Sequence, residues 1–342
     1  MNFCIKSDTG EKISNIQGIR VIAFLMILSA HSFNTNPIIG PLGALGVQIF
    51  LVISGYLIAI RYGDKSFDNV WLDGLRYSWK KIKKFYLLHF LTLTLFVVQR
   101  LYKHKEIDPF SLILNVTLTQ AWYPPVSIDF NGVAWFLSAI VVIYFLVPFT
   151  VNFMSKKSTS QLLILFAVIF FFRLIVDAIA YRIFPEQLIL VLYFNPLYRY
   201  TEFLFGFIGA LIFKNLDFDK EEHPKFFSAV QIFFVAAYIA GCNFFFTTLN
   251  YCWLPVIFLL LATVLVIVLT KSGIANILGI PPLVHLGNIS FELFLLHPIS
   301  MLLVARVLKV PLDEISSMMI VLILTIIAAE IFHKLMLKFQ KN

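Results

Sequence analysis

Long apolar runs alternate with short polar segments along almost the whole of the 342-residue chain. Each run is close to the roughly 20 residues that a helix needs to cross the hydrocarbon core of a bilayer. Charged residues, prolines and glycines stand between the runs, where helices end. The pattern predicts an all-α, polytopic integral membrane protein with about ten transmembrane helices, at residues 18–35, 43–60, 85–100, 133–153, 160–180, 195–213, 226–245, 252–270, 286–305 and 315–335.

Two stretches depart from this pattern. Residues 1–15 are polar, and no small-residue cleavage site follows the first apolar run, so we expect that run to be a retained helix and not a secretory signal. Residues 106–132 contain an apolar run that is too short to span before "YPP" ends it, which predicts a loop or a re-entrant helix. We expect residues 1–342 to form a single transmembrane domain with a cytosolic segment at 1–15 and no appended soluble domain.

Composition explains what surrounds the helices. The chain is 60% hydrophobic and only 13% charged, and its mean hydropathy is +0.87. One soluble core could not hide so much apolar surface, so membrane lipid is the expected surrounding. The three cysteines, Cys4, Cys242 and Cys252, form neither a metal set nor a disulfide framework, and no metal site is predicted. A Cys242–Cys252 pair would require that both residues face an oxidising compartment.

The basic residues are distributed unevenly between the loops. The net charge of +8 could suggest a nucleic-acid partner, but Lys and Arg cluster in alternate loops, as membrane orientation requires. With the N-terminus placed in the cytosol, nineteen of the 27 Lys and Arg residues lie on the cytosolic side, six lie outside and two lie within spans. This asymmetry predicts that both termini are cytosolic, and it gives no reason to expect nucleic-acid binding.

Two ionisable residues lie in the first apolar run, "GIRVIAFLMILSAHS". Arg20 and His31 are eleven residues apart, which in a helix is about 20° beyond three full turns and about 16 Å along the axis. Both therefore lie on one helix face, with Arg20 near the cytosol. Arg20 could be a positive-inside anchor and His31 a polar cap of the helix. Alternatively, a neutral imidazole at membrane depth could act as a general base.

Four later segments also place polar residues in or beside predicted spans. In "GVQIFLVISGYLI" (46–58), the small pair Ser54–Gly55 permits close helix approach, so packing is its expected role. In "RYSWKKIKKFYLLHF" (76–90), Lys81 and Lys84 form a basic cluster at a helix entry. Such a cluster is typical of a topology signal, and it could also bind phosphate groups.

The other two segments combine charge with helical spacing. In "NPLYRYTEFLFGFIGALIF" (195–213), Arg199 and Glu202 are three apart and can form an ion pair, and Arg173 and Asp177 invite the same interpretation. In "GNISFELFLLHPIS" (287–300), His297 precedes a proline that frees a backbone carbonyl. We expect His297 to be structural or part of a polar network.

Together and in this order, these segments resemble the acyltransferase-3 family of polytopic membrane acyltransferases. The resemblance rests on the Arg20–His31 spacing, the Ser54–Gly55 segment, the arginine-glutamate-phenylalanine segment and two further motifs. These are the tryptophan-led "NGVAWFLSAIVVIYFLVP", which begins its span at Trp135, and the late segment with Ser290 and His297. Two positions depart from the family: Lys81 and Lys84 stand where arginines are usual, and Ile140 stands where one branch has a glutamate.

The resemblance implies a membrane O-acyltransferase of the bacterial cytoplasmic (inner) membrane. Such a protein moves an acetyl group from cytosolic acetyl-CoA, a substrate and not a permanently bound cofactor, to a hydroxyl of an extracytoplasmic glycan such as O-antigen, capsule or exopolysaccharide. Arg20, Lys81 and Lys84 would hold the anionic end of the donor. His31 would deprotonate a sugar hydroxyl or become transiently acetylated. A surface polysaccharide or lipid-linked glycan is the implied acceptor.

Acceptor contacts are sought in the outer loops. Trp122, Tyr123 and Asp129 are of the types that contact sugars, although an interfacial aromatic belt would use the same residues. Arg199 and Glu202 could also contact the acceptor. The competing class is a polytopic exporter or flippase-like protein for a glycan or small solute, although no inverted repeat is evident. A non-catalytic membrane subunit of a polysaccharide-assembly complex is a third alternative, and the sequence does not specify an oligomeric state.

Overall fold

The computed structural model describes residues 13–184, 189–216, 223–248 and 254–339. Within these ranges the chain is helical and contains no strand, which confirms the all-α prediction. Cys4 and Cys252 lie outside the described residues, as does the side chain of Cys242, so their pairing stays a prediction. The helices are α1 (Asn15–Ser32), α2 (Leu42–Tyr62), α3 (Val70–Tyr102), α4 (Pro109–Val116), α5 (Trp135–Met154), α6 (Thr159–Ile183), α7 (Pro196–Asn215), α8 (Pro224–Thr248), α9 (Leu254–Leu269), α10 (Pro281–Asn288), α11 (Ser290–Leu303) and α12 (Ile315–Phe339).

Seven of the described helices are long and apolar enough to cross a membrane: α2, α3, α5, α6, α8, α12, and α11 together with the π turn that follows it to Leu308. All ten predicted apolar runs overlap a helix, and the other three fall on α1, α7 and α9. Most residues of α1 and α7 are buried in the bundle, and they include charged ones. A helix enclosed by protein does not need an apolar outer face. The count of ten spans and the cytosolic termini stay predictions.

The centre of the bundle is formed by α1, α2 and α7, whereas α6, α8 and α12 leave most of their surface exposed at the periphery. The contact of α2 with α7 depends on two glycines. A Cβ atom on Gly55 would lie 1.9 Å from the backbone oxygen of Phe203, and one on Gly206 would lie 2.0 Å from that of Val52. Only glycine permits this approach, so Gly55 allows the close packing of α2 on α7.

The structure corrects one boundary. Residues 70–84, which the charge pattern assigned to a cytosolic loop, form the first half of the 33-residue helix α3. Asn69 starts this helix by accepting a hydrogen bond from the backbone N–H of Leu72. Gly74 then lies against α5, where an added Cβ would be 2.5 Å from the oxygen of Phe145. A basic helix that packs on a neighbour through one face looks like a loop when charge alone is counted.

The segment between α3 and α5 agrees with the prediction that residues 106–132 do not span. It contains only the two-turn helix α4 and two short 3₁₀ turns at Gln120–Trp122 and Pro124–Val126. Asp108 starts α4 by accepting hydrogen bonds from the N–H groups of Phe110 and Ser111. Asn131 fastens the end of the segment to α11, since its side chain donates to the backbone oxygen of Leu295 over 3.1 Å.

Candidate functional site

A cavity with about 870 Å³ of free space, counting the part open to solvent, lies between α1, α2, α3, α5 and α11. It brings together residues from distant parts of the chain, including Arg20, Ser54, Lys81 and Ser290, which the sequence singled out. The full lining is Arg20, Phe50, Ile53, Ser54, Leu57, Ile58, Arg61, Tyr77, Lys81, Phe85, Phe136, Ile140, Tyr144, Ser290, Phe291 and Phe294.

The charge of this lining has one sign. Arg20, Arg61 and Lys81 contribute three cations, and the described residues that line the cavity include no Asp or Glu. Arg20 is the most enclosed of the three, with 8% of its surface exposed. The ammonium group of Lys81 lies 5.2 Å from the ring centre of Tyr77 and 5.7 Å from that of Tyr144. Cation–π contacts of this kind hold a lysine in place. Because the three charged residues of the lining are all cations, the cavity suits an anionic group.

The rest of the lining is mainly apolar. Ile140 stands on this wall, so the position where one branch of the family has a glutamate faces the cavity and carries a hydrocarbon side chain here. Besides Tyr77 and Tyr144, the lining includes two serine hydroxyls. Ser54 donates to the backbone oxygen of Phe50, whereas the hydroxyl of Ser290 is buried and has no hydrogen-bond partner among the described residues. An unsatisfied buried hydroxyl on a cavity wall is available to a ligand.

His31 and His297 meet at the other end of α1. The Nδ1 atom of His31 lies 2.8 Å from the Nε2 atom of His297. Their rings are 15° from parallel with centres 5.0 Å apart. This centre distance is what a 2.8 Å N···N contact gives when two nearly coplanar rings meet edge to edge. His297 is completely buried, whereas His31 is exposed at the surface of the bundle.

A phenylalanine separates the cavity from the histidine pair. Phe294 lines the cavity, and its ring centre is 6.0 Å from that of His297. Phe24 contacts His297 from another side, with ring centres 5.9 Å apart in an edge-on arrangement. The cationic part of the cavity and the histidine pair are therefore two ends of one region of the bundle, and an aromatic ring lies between them.

Other predicted site residues lie elsewhere. Lys84 is exposed on α3 and does not line the cavity. Trp122 is half-exposed on the segment between α3 and α5. Asp129 is engaged within the protein, because it accepts hydrogen bonds from Arg100 over 3.3 Å and from the hydroxyl of Ser111 over 2.5 Å. The structure does not bring Trp122 or Asp129 to the cavity.

Arg199 and Glu202 form a buried ion pair, with 2.5 Å between the guanidinium and the carboxylate. Glu202 also pairs with Arg173 of α6 over 3.8 Å. Asp177 accepts a hydrogen bond from the hydroxyl of Tyr198 and makes no direct ion pair with Arg173, although the charge of Arg173 still acts on its carboxylate. The network holds α6 against α7, and Trp135 covers it with its ring centre 5.6 Å from the guanidinium carbon of Arg199. Neither Arg199 nor Glu202 lines the cavity.

The sequence did not single out three polar residues of the cavity lining: Arg61, Tyr77 and Tyr144. Tyr77 and Lys81 are one turn apart on α3, and Ile140 and Tyr144 are one turn apart on α5. That i, i+4 spacing is the signal that could have found the tyrosines, had residues 70–84 been assigned to a helix. The histidine pair has no such signal, since its members are 266 residues apart.

Comparison with known proteins agrees with these features. Residues 13–333 match the family model of the acyltransferase domain, Acyl_transf_3. O-acetyltransferase OatA of Staphylococcus aureus is 24% identical over an alignment of 308 positions, which covers 83% of this chain and 50% of OatA. ORF330 of Acidianus two-tailed virus, named as a candidate acetyltransferase, is 26% identical over 174 residues, or 51% of this chain and 49% of the viral protein. No solved structure matches the chain.

The chain spans about half the length of the curated relatives that it matches. Its apolar helices and the family match indicate a multi-pass membrane protein. Because the family model covers nearly the whole chain, this protein belongs to the acyltransferase-3 family of acyltransferases.

Proposed function

We propose that this protein moves an acetyl group from cytosolic acetyl-CoA to a hydroxyl of an extracytoplasmic glycan in the bacterial inner membrane. The observation that carries the proposal is the cavity. One part of its lining carries Arg20, Arg61 and Lys81, and another part reaches Phe294, whose ring contacts His297. With both termini in the cytosol, the cationic part faces the compartment that holds acetyl-CoA, and His31 lies toward the opposite side.

The cavity matches the two chemical parts of the donor. Coenzyme A carries several phosphate charges, which guanidinium and ammonium groups bind through charge-assisted hydrogen bonds. Its pantetheine arm is long and mostly uncharged, which suits the apolar walls and the free hydroxyl of Ser290. Arg61 lines the cavity and Lys84 does not, so Arg61 replaces Lys84 among the proposed phosphate contacts. The proposed donor contacts are therefore Arg20, Arg61, Lys81 and Ser290.

His31 supplies the chemistry in this proposal. Its Nε2 atom takes the proton of the glycan hydroxyl while the hydroxyl oxygen attacks the thioester carbonyl carbon. The C–S bond then breaks, and the proton passes from Nε2 to the departing thiolate. The products are the acetyl ester and coenzyme A, with no other reactant consumed. In the alternative sequence Nε2 itself accepts the acetyl group before the hydroxyl does.

The names of two relatives support transfer of an acetyl group to oxygen. The name of OatA specifies transfer to oxygen, and the alignment with OatA covers most of this chain at 24% identity. The name of the viral relative specifies an acetyl group. The glycan acceptor rests on the family resemblance alone. Because the match covers only about half of each of these relatives, acceptor choice is the part of the proposal that most needs measurement.

The test is the O-acetyl content of the surface polysaccharide in the native host. Cells without the protein are complemented with the wild type, with His31→Ala or with His104→Asn, and O-acetyl signals of the purified polysaccharide are measured by NMR. His104 is an exposed histidine outside the cavity, and asparagine tolerates its positive φ of 52°. We expect O-acetylation with the wild type and His104→Asn, and its loss with His31→Ala. Equal acetylation with all three proteins would refute the role of His31. Unmodified polysaccharide whose export depends on the protein would favour a transporter.

A further inference from the structure

We propose that His297 is a positioning residue which holds His31 in the tautomer that a general base requires. The inference rests on the proposed function, because it assigns the state of the group that would act on the acceptor. In this arrangement Nδ1 of His31 carries the proton, and Nε2 presents its lone pair. Pro298 contributes to this arrangement, because it leaves the backbone oxygen of Phe294 free to accept a hydrogen bond from His297.

Pro298 lies inside α11. In a regular helix the N–H group of residue 298 would donate to the backbone oxygen of Phe294, but proline has no N–H group. That oxygen is taken up by the preceding side chain, since Nδ1 of His297 lies 2.7 Å from it. A carbonyl oxygen only accepts hydrogen bonds, so Nδ1 of His297 must carry a proton.

The second step concerns the other nitrogen of His297. The ring is completely buried and lies between the rings of Phe24 and Phe294. No carboxylate pairs with it in the part of the chain that the structure describes, so a second proton would create a buried charge without a counter-ion. His297 is therefore neutral, with Nδ1 protonated and Nε2 as an acceptor.

The third step fixes the tautomer of His31. Its Nδ1 lies 2.8 Å from the acceptor Nε2 of His297, so His31 must donate from Nδ1. The nearly coplanar, edge-to-edge arrangement of the rings directs the N–H bond at the acceptor lone pair. The proton of neutral His31 is then on Nδ1, and Nε2 has its lone pair free. No described residue forms a hydrogen bond with this Nε2 atom.

The arrangement has a consequence for the proposed reaction. When Nε2 of His31 takes a proton, the bond from its Nδ1 to His297 becomes charge-assisted and stronger. His297 would thus stabilise the cationic form of His31 as well as orient the ring. Without His297, His31 could place its proton on either nitrogen, and in the Nε2–H form Nε2 has no lone pair with which to take the proton of the acceptor hydroxyl.

The tautomer of His31 can be measured directly. The wild type and His31→Gln are labelled with ¹⁵N-histidine and reconstituted in nanodiscs, and ¹⁵N NMR separates protonated from unprotonated ring nitrogens. The signals that His31→Gln removes belong to His31. We expect Nδ1 of His31 to be protonated and Nε2 to be unprotonated at a pH where the ring is neutral. A wild-type spectrum with the proton on Nε2 would overturn the proposal without any variant of His297.

Two variants of His297 add a functional measurement. His297→Phe keeps an aromatic ring but removes the acceptor, and His297→Gln places an amide oxygen where it can accept from His31. We expect His297→Phe to lower kcat by roughly 100-fold or more with little change in KM for acetyl-CoA, and His297→Gln to restore part of kcat. Loss of the Nδ1–H signal of His31 should accompany the loss of kcat. A purely structural residue would lower the amount of folded protein instead.

The outcomes separate this inference from the function on which it rests. A wild type that neither binds acetyl-CoA nor transfers acetyl groups would contradict the proposed function, while the NMR spectrum would still decide the tautomer. Full kcat in folded His297→Phe would contradict the positioning role alone. If His297→Phe does not fold, the His297→Gln kinetics and the wild-type spectrum keep the proposal open to refutation.

Discussion

Arg20 is the cation whose removal should weaken donor binding most. It lies on the central helix α1, lines the cavity and has only 8% of its surface exposed. Its Nη1 atom donates to the side-chain oxygen of Gln17 over 3.4 Å, a long hydrogen bond. The perturbation is Arg20→Gln, which removes the charge but keeps a polar side chain.

Burial sets the size of the expected effect. A hydrogen bond to a charged group is worth roughly 1.5–3 kcal/mol, which corresponds to roughly a 10- to 150-fold rise in the dissociation constant. Arg61 lines the same cavity but is exposed, and solvent screens its charge. Exposed ion pairs contribute about 0–1 kcal/mol, so Arg61→Gln should weaken binding by less than about fivefold. We therefore expect Arg20→Gln to weaken acetyl-CoA binding, and to weaken it more than Arg61→Gln does.

The assay is equilibrium binding of radiolabelled acetyl-CoA to purified protein in nanodiscs. Lys83→Gln is the matched control, because Lys83 is an exposed cation of α3 that does not line the cavity. Thermal unfolding of each variant shows whether the bundle is intact. Higher salt should weaken wild-type binding, since part of the attraction is between charges.

Two results would refute this reasoning. Unchanged binding by folded Arg20→Gln would mean that the cavity is not the donor site. An equal loss in Arg61→Gln or Lys83→Gln would mean that net positive charge, and not the enclosed position of Arg20, governs binding.

Three further predictions concern other parts of the bundle. Ser290→Ala should weaken acetyl-CoA binding without lowering the unfolding temperature, because the Ser290 hydroxyl has no hydrogen-bond partner to lose among the residues that the structure describes. Glu202→Gln should destabilise the protein by about 3–5 kcal/mol, seen as a lower unfolding temperature, since it leaves Arg199 buried without its carboxylate. Gly55→Ala should lower the free energy of unfolding by about 1–3 kcal/mol and reduce the folded yield. Gly132→Ala should leave it unchanged, because the added Cβ would lie 3.5 Å from the backbone oxygen of Ile128, an ordinary contact distance.

The sequence predicted features that depend on local pattern. Apolar runs of about one bilayer thickness located the helices, and the spacing in α1 placed Arg20 and His31 toward opposite ends of one helix. The small residues at Ser54–Gly55 predicted a close helix contact, which the structure places between α2 and α7. Each of these features is a property of one helix and its periodicity.

Features that depend on which helices meet were not predictable in the same way. The sequence pattern does not indicate that His31 contacts His297. It also does not indicate that Arg173 forms its ion pair with Glu202 and not with Asp177. The count of charges also assigned the first half of α3 to a loop, because this part of the helix has a basic face as well as a face that packs on the bundle. Tertiary contact decides these cases, and a hydrophobicity pattern contains no information about the partner helix.

Sealed vesicles show whether the protein transfers the acetyl group across the membrane. Right-side-out membrane vesicles from the native host are loaded with radiolabelled acetyl-CoA, and label on the polysaccharide at their outer surface is counted. The account predicts that label appears there when acetyl-CoA is enclosed, but not when it is supplied only outside. It also predicts that His31→Ala vesicles show none. Label that appears equally from outside acetyl-CoA, or that persists in His31→Ala, would contradict the account.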